Sequence, residues 1–264
     1  MPDRPGAPPV AVQLLTRIAD GNDANKLIMA EAGALDALSR YLSLSPQDLT
    51  EATISELLRI LFSNPDLLQY EATISCTHQL VAVLHLGSRS ARLSAARALD
   101  ELFDAEHIRN SETASQAFQP LLDMLGSASG SEQQAAFSAL IKLTWGNNSK
   151  AVLSAETEEN PLDNLHKILV SSSSLELKSN AAELCFVFFS NAKFREMQIA
   201  AEFLKPLLSL IESGTDSAME AGICAFEKLL DDEQLVELVS AYDVVDLLVH
   251  LISGSNHRLI EASI

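Results

Sequence analysis

His78 and His85 stand seven residues apart, so on a helix their imidazoles share one face. Two imidazoles on a face are part of a metal site, but no Cys, Asp or Glu stands at the spacing that would complete one. The pair reads as ordinary solvated histidines. Asp231, Asp232, Glu233 and Glu237 form a dense carboxylate group. Calcium would want oxygen ligands at loop spacing, whereas these sit at a helix junction, where acidic side chains favour a helix N-terminus. Cys76, Cys185 and Cys224 are odd in number and widely spaced, and no CxxC pair exists. All three fall in apolar helical patterns and are expected as buried free thiols of a reducing compartment. Trp145, just before Gly146, reads as an aromatic cap beneath a loop. GxSxG, HExxH, GxxxxGK[ST] and GxGxxG are absent from any usable context. The expectation is therefore a protein with no catalytic residues, no cofactor and no metal: not an enzyme.

The elements that position these residues are helical. Of 264 residues 47% are hydrophobic but only 5% aromatic, with Leu and Ala dominant, which suits an all-helical core better than a β-rich one. The formal net charge is −18, so the chain is a poor general binder of nucleic acid or anionic lipid. No apolar run approaches the roughly 18–20 residues that span a bilayer, and MPDRPGAPP lacks the apolar segment of a signal peptide. A cytoplasmic protein without membrane insertion is expected.

Two patterns repeat along the chain. Apolar pairs at i and i+4 fall at Leu38/Leu42, Leu80/Leu84, Leu121/Leu125, Leu165/Leu169, Leu207/Ile211 and Leu248/Ile252, with first members 42, 41, 44, 42 and 41 residues apart. Out of phase with them runs a small-residue helix, as in SAARALDEL (94–102), AAFSALIKL (135–143), NAAELCFVF (180–188) and AGICAFEKL (221–229), with weaker copies at 11–18 and 51–60. Anchored at Leu15, Leu57, Leu99, Leu140, Cys185 and Phe226, its spacings are 42, 42, 41, 45 and 41. Each unit carries amphipathic helices that cannot bury their faces alone and must stack on their neighbours. Breakers separate the helices: Gly21-Asn22, Ser63-Asn64-Pro65, Gly146-Asn147 and Ser190-Asn191 after the small-residue helix, and Gly87, Gly126, Gly214 and Gly254 after the other. The extra length near the fourth unit falls in Gly146–Asn148 and Ser171–Ser174. Thr50, Ser131 and Ser217 are expected as helix caps, Ser131 with Gln134 as an approximate capping box.

A period near 42 with this content resembles the armadillo repeat, with the HEAT repeat as its neighbour. Gly33-Ala34-Leu35 with Leu38 and Leu42 matches the armadillo second-helix opening. The expected fold is an all-α, armadillo-type right-handed superhelical solenoid of about six repeats of ~42 residues. A disordered Pro-rich leader is expected over residues 1–9 and the array over 10–264, cut within a repeat at both ends, from Val10 and to Glu261–Ile264. In armadillo folds the small-residue helix lines a concave groove. The residue before the second Leu of its Leu-x-x-Leu pattern often forms an Asn ladder there that grips an extended peptide. Here the ladder reads Arg17, Arg59, Glu101, Lys142, Val187 and Lys228, and the positions where groove Trp residues would stand hold Gln13, Ser55, Arg97, Ser138, Glu183 and Cys224. An importin-α type of recognition is therefore disfavoured. Four of the six rungs are basic in an acidic chain. Arg17, Arg59, Lys142 and Lys228 are thus candidates for binding an acidic peptide segment. Their preference for a helix C-terminus explains them equally well.

RYLSLSPQDLTEA (40–52), QLVAVLHLGSRSARLSAARALDELFDAEHIRNSETA (79–114), SLELKSNAAELCFVFF (174–189) and LDDEQLVELVSAYDVVDLLVHL (230–251) resemble the cellulose synthase-interactive proteins of plants. The resemblance covers nearly everything from Leu14 onward. It implies a long armadillo array that ends in a C2 domain and links plasma-membrane cellulose synthase complexes to cortical microtubules. It thus implies a place in the cortical cytoskeleton, at the cytoplasmic face of the plasma membrane, in cellulose biosynthesis. These residues hold no C2 domain, so lipid and calcium binding are not carried over. The alternative is an adaptor elsewhere, such as the substrate-binding array of a plant U-box ubiquitin ligase.

Overall fold

The computed structural model describes residues 7–44, 48–144, 161–213 and 215–239. Among them every regular element is a helix and none is a strand. The chain divides into two compact units, Met1–Glu159 and Asn160–Ile264.

The first unit runs α1 (Ala7–Ala19), α2 (Asp23–Glu31), α3 (Ala34–Ser43), α4 (Asp48–Phe62), a 3-10 turn (Pro65–Gln69), α5 (Ala72–Leu86), α6 (Arg89–Leu102), α7 (Glu106–Arg109), α8 (Glu112–Ser115), α9 (Phe118–Leu125) and α10 (Gly130–Thr144). The second runs α11 (Pro161–Ser171), α12 (Leu175–Phe189), α13 (Ala192–Arg195), a 3-10 turn (Gln198–Phe203), α14 (Leu204–Ser213), α15 (Asp216–Leu229) and α16 (Glu233–Val239). The pattern is one or two short elements, a second helix and a third, repeated. The third helices are the small-residue series: α1, α4, α6 and α10 in the first unit, α12 and α15 in the second. Within the first unit α4 packs between α1 and α6, and α6 packs on α10; within the second α12 packs on α15.

Small side chains make this stacking possible. Ala95, Ala96 and Ala98 of α6, Ala136 and Ala139 of α10, and Ala181 and Ala182 of α12 are fully buried, so neighbouring backbones approach without intervening side chains. In α15 a Cβ on Gly222 would lie 3.0 Å from Ile211 Cγ1 of α14. The second-helix pairs Leu38/Leu42, Leu80/Leu84, Leu121/Leu125, Leu165/Leu169 and Leu207/Ile211 are all buried. Leu248/Ile252 lies outside the described residues, as do Trp145, Gly146-Asn147, Gly214 and Gly254.

The helix ends differ from expectation by a residue or two. Thr50, Ser131 and Ser217 lie inside α4, α10 and α15 rather than capping them. The cap of α15 is Thr215, whose extended backbone turns its hydroxyl onto Ala218 N at 3.5 Å. Asn22, Asn64, Ser88, Ser111, Ser174 and Asn191 cap other helices in the same way. Helix α1 begins at Ala7, before the expected start at Val10. Pro8 and Pro9 fall in its first turn, where a missing N–H costs nothing. Gly21 and Gly33 adopt positive φ of 66° and 81°, which favours glycine in the turns that lead into α2 and α3. Two arginines close third helices from outside: Arg109 donates to the carbonyl of Phe103 at 2.6 Å, and Arg195 to that of Phe189. Each satisfies a C-terminal acceptor that the helix cannot.

Leu99 is fully buried at the centre of the α4–α6–α10 stack. Leu99→Ala is expected to cost about 2–5 kcal/mol through lost burial and the cavity left behind, read as a lower urea midpoint. Gly87 ends α5 with no room for a side chain: a Cβ would meet the Val83 carbonyl oxygen at 2.6 Å. Gly87→Ala should therefore cost about 1–3 kcal/mol of stability, read as a fall in the same midpoint, against the usual gain when glycine is replaced.

Candidate functional site

The ladder residues sit where the third helices leave their outer edge uncovered. Arg17 on α1 is exposed; Arg59 on α4, Glu101 on α6, Lys142 on α10, Val187 on α12 and Lys228 on α15 are half-buried. In the first unit the rungs meet. Arg59 donates through Nε and Nη2 to Glu56 Oε1 at 3.0 and 2.8 Å, and its Nη1 lies 3.8 Å from Glu101 Oε1 on the next helix. Lys142 Nζ lies 3.3 Å from Asp100 and 3.0 Å from Asp104, and donates to the Asp100 carbonyl at 3.0 Å. Ser138 donates to Asp100 Oδ1 at 2.8 Å. An acidic stripe on α6 is thus held between a cation of α4 and a cation of α10.

The titration of these groups reflects the network. The hydrogen bond to Glu56 holds the Arg59 pKa above its ordinary value. Burial pulls Lys142 down, but Asp104 and Asp100 outweigh it and the amine ends up raised. Burial, and then Asp100, push the Glu101 carboxyl above the usual range, with Lys142 and Arg59 offsetting part of the rise. In the second unit Lys228 pairs, among the described residues, with local carboxylates, Glu227 at 3.6 Å and Asp231 at 3.7 Å. Val187, its counterpart one repeat earlier, offers it no charge.

The expected basic ladder is therefore mostly a set of ion pairs. Arg17 makes no ion pair with a described residue. With Gln13, Thr16, Ala52, Thr53 and Glu56 it lines a groove of about 510 Å³ between α1 and α4. A second groove, of about 320 Å³, lies between α12 and α15 and is lined by Ser179, Glu183, Phe186, Ser217, Glu220 and Cys224. Phe186 is hard to single out from sequence, because the run Cys185-Phe186-Val187-Phe188-Phe189 is uniformly apolar. Helical rotation sends Cys185, Phe188 and Phe189 into the core and leaves Phe186 at the surface. The partners of the ladder cations do leave a signal in the sequence: Glu56 precedes Arg59 at i,i+3, and Asp100 precedes Lys142 by one period.

His78 and His85 are both exposed on α5, and among the described residues no three His, Cys, Asp or Glu side chains could hold a metal. Asp232 Oδ1 accepts from Gln234 N at 2.9 Å and Leu235 N at 3.3 Å, capping α16. Cys76 and Cys185 are buried free thiols; burial pushes Cys76 up to about 12 and Cys185 well up too. Cys224 corrects the expectation of three buried thiols: it is half-exposed, because its stripe of α15 lines the second groove.

No protein-family model matches the chain. Two proteins of Arabidopsis thaliana are similar along all of it. Protein Cellulose Synthase Interactive 2 is 48% identical over 263 residues, 99% of this chain and 12% of the relative. Protein Cellulose Synthase Interactive 3 is 59% identical over 265 residues, 100% of this chain and again 12% of the relative. Among solved structures, a designed armadillo repeat protein superposes with a TM-score of 0.70 at 21% identity, covering 87% of this chain and 95% of that one. A designed armadillo repeat protein in complex with the peptide (KR)4 gives a TM-score of 0.65 at 21% identity, covering 83% and 92%. Those two likenesses show the fold, an all-α armadillo-type solenoid. The chain is therefore an armadillo-type relative of the Cellulose Synthase Interactive proteins, matching them along its whole length and spanning 12% of theirs.

Proposed function

We propose that this chain is a non-enzymatic interaction scaffold that associates with cellulose synthase complexes and with cortical microtubules at the cytoplasmic face of the plasma membrane. The observation that carries the reading is the outer edge of the third helices, where equivalent positions of adjacent repeats form open grooves rather than an enclosed site. The names of the relatives support the choice of partner. Among the described residues no helix is long and apolar enough to cross a membrane.

Of the four ladder cations Arg17, Arg59, Lys142 and Lys228, the first is the one poised for a partner. An acidic segment, such as the tails exposed on microtubules, can meet Arg17 without breaking an existing ion pair. Contact at Arg59 or Lys142 means competing with Glu56, Asp100 and Asp104.

Microtubule co-sedimentation at low and high salt tests this. The chain should pellet at low salt and be released at high salt, since exposed charges are screened. Arg17→Glu should weaken pelleting about threefold or more without moving the unfolding midpoint. Lys142→Glu is the contrasting variant. It places a third carboxylate beside Asp100 and Asp104 and should lower the midpoint itself. A chain that stays in the supernatant at both salts removes microtubules as its partner. If it also shows no calorimetric binding to cytosolic portions of a cellulose synthase, the scaffold reading fails.

A further inference from the structure

The groove between α12 and α15 differs in character from the one beside Arg17. Its floor carries Phe186, 36% exposed and the one exposed phenylalanine among the described residues. Its walls carry Glu183, one turn before Phe186 on α12, and Glu220, one turn before Cys224 on α15. Neither carboxylate makes an ion pair with a described residue, in contrast to Glu56, Asp100 and Asp104 in the first unit. Glu183 is exposed at the surface, and partial desolvation of its carboxyl raises its pKa above the usual range. Lys228, one turn beyond Cys224 on the same helix, is engaged by Glu227 and Asp231.

An aromatic face between two uncompensated carboxylates matches one kind of side chain: a cation on an aliphatic stem. A lysine or arginine can lay its methylenes on the Phe186 ring and Ala221 while its charge meets Glu183 and Glu220. The net charge of −18 favours the approach of such a segment. We infer that the α12–α15 groove is a docking site for a basic side chain of an extended partner segment. This inference rests on the reading of the third-helix edge as a partner surface and adds the chemistry of one partner segment. It is opposite in sign to the acidic segment assigned to Arg17.

The test uses the full chain and a fluorescein-labelled (KR)4 peptide, followed by anisotropy at physiological ionic strength. Saturable binding is expected, with none for an uncharged Gly-Ser octapeptide. Glu183→Gln with Glu220→Gln, which keeps shape and removes only charge, should weaken binding about tenfold or more. Phe186→Ala, at a surface position, should weaken it about fivefold. Glu196→Gln with Glu212→Gln makes the same change of net charge at exposed sites elsewhere in the unit and should cost less than about twofold. Equal loss in both double variants means a merely acidic surface and overturns the inference, as does the absence of saturable binding. A chain that ignores (KR)4 but pellets with microtubules overturns this site and leaves the scaffold reading standing. Binding that follows Glu183 and Glu220 without pelleting sustains the groove and removes microtubules as the partner.

Discussion

The close approach of the third helices governs this molecule. Alanines at Ala95, Ala96, Ala136 and Ala139 leave nothing between adjacent backbones, so within the first unit α6 and α10 are pinned in a fixed register. A larger side chain at such a position would separate two helices and disturb every contact along their length. The register shows in the hydrogen bonds that join repeats. Cys76 donates to the carbonyl of Leu35, Lys142 to that of Asp100, Ser138 to the carboxylate of Asp100, and Arg89 to Glu132, at separations of 41, 42, 38 and 43 residues. Position along the sequence, taken modulo the repeat, decides which side chains meet.

The same constraint explains what could be read from the chain and what could not. The paired apolar positions are legible because burial depends on periodicity alone, and every described pair is buried. Helix starts are less legible. Several Ser and Thr residues compete near each start, and the one that caps is the one whose backbone is extended, a tertiary outcome. Thr215 takes that role at α15 although Ser217 stands two residues on. The closing arginines, Arg109 and Arg195, repeat one contact, each to a carbonyl six residues earlier, a pairing too sparse along the chain to announce itself. The ladder positions follow from helical angle alone. Their electrostatic meaning does not, because a rung considered singly has no partner. Arg59, Glu101 and Lys142 alternate in sign along a spacing that brings neighbours together, so attraction between rungs is implicit in the period.

Charge is buried in the same register. Lys26 is buried and binds Asp23 and Ser63 at 2.8 and 2.9 Å; Glu132 is buried and accepts from Arg89 and Ser127. A charge removed from water must be matched, and here the match comes partly from the adjacent repeat. Burial raises the Glu132 carboxyl, but the hydrogen bonds from Arg89 and Ser127 outweigh it and leave the group below its usual range. The contribution of Glu132 is therefore present at neutral pH and is lost as the pH falls through its lowered pKa. With 18 basic against 36 acidic residues, cations held in such internal matches are not free for partners.

That scarcity makes the two grooves unlike each other. In the first unit Arg59 and Lys142 are engaged by carboxylates of the stack, which neutralises most of the edge and leaves Arg17 as the exposed cation of the ladder. In the second, Val187 replaces a charged rung, Lys228 turns to its own helix, and Glu183 and Glu220 are left without a counterion among the described residues. One register, built for packing, therefore yields recognition surfaces of different sign, because outward positions are free to vary while the buried ones are not. Specificity on such a scaffold belongs to which outward residues remain uncompensated by the neighbouring repeat, a property of pairs of repeats rather than of any one.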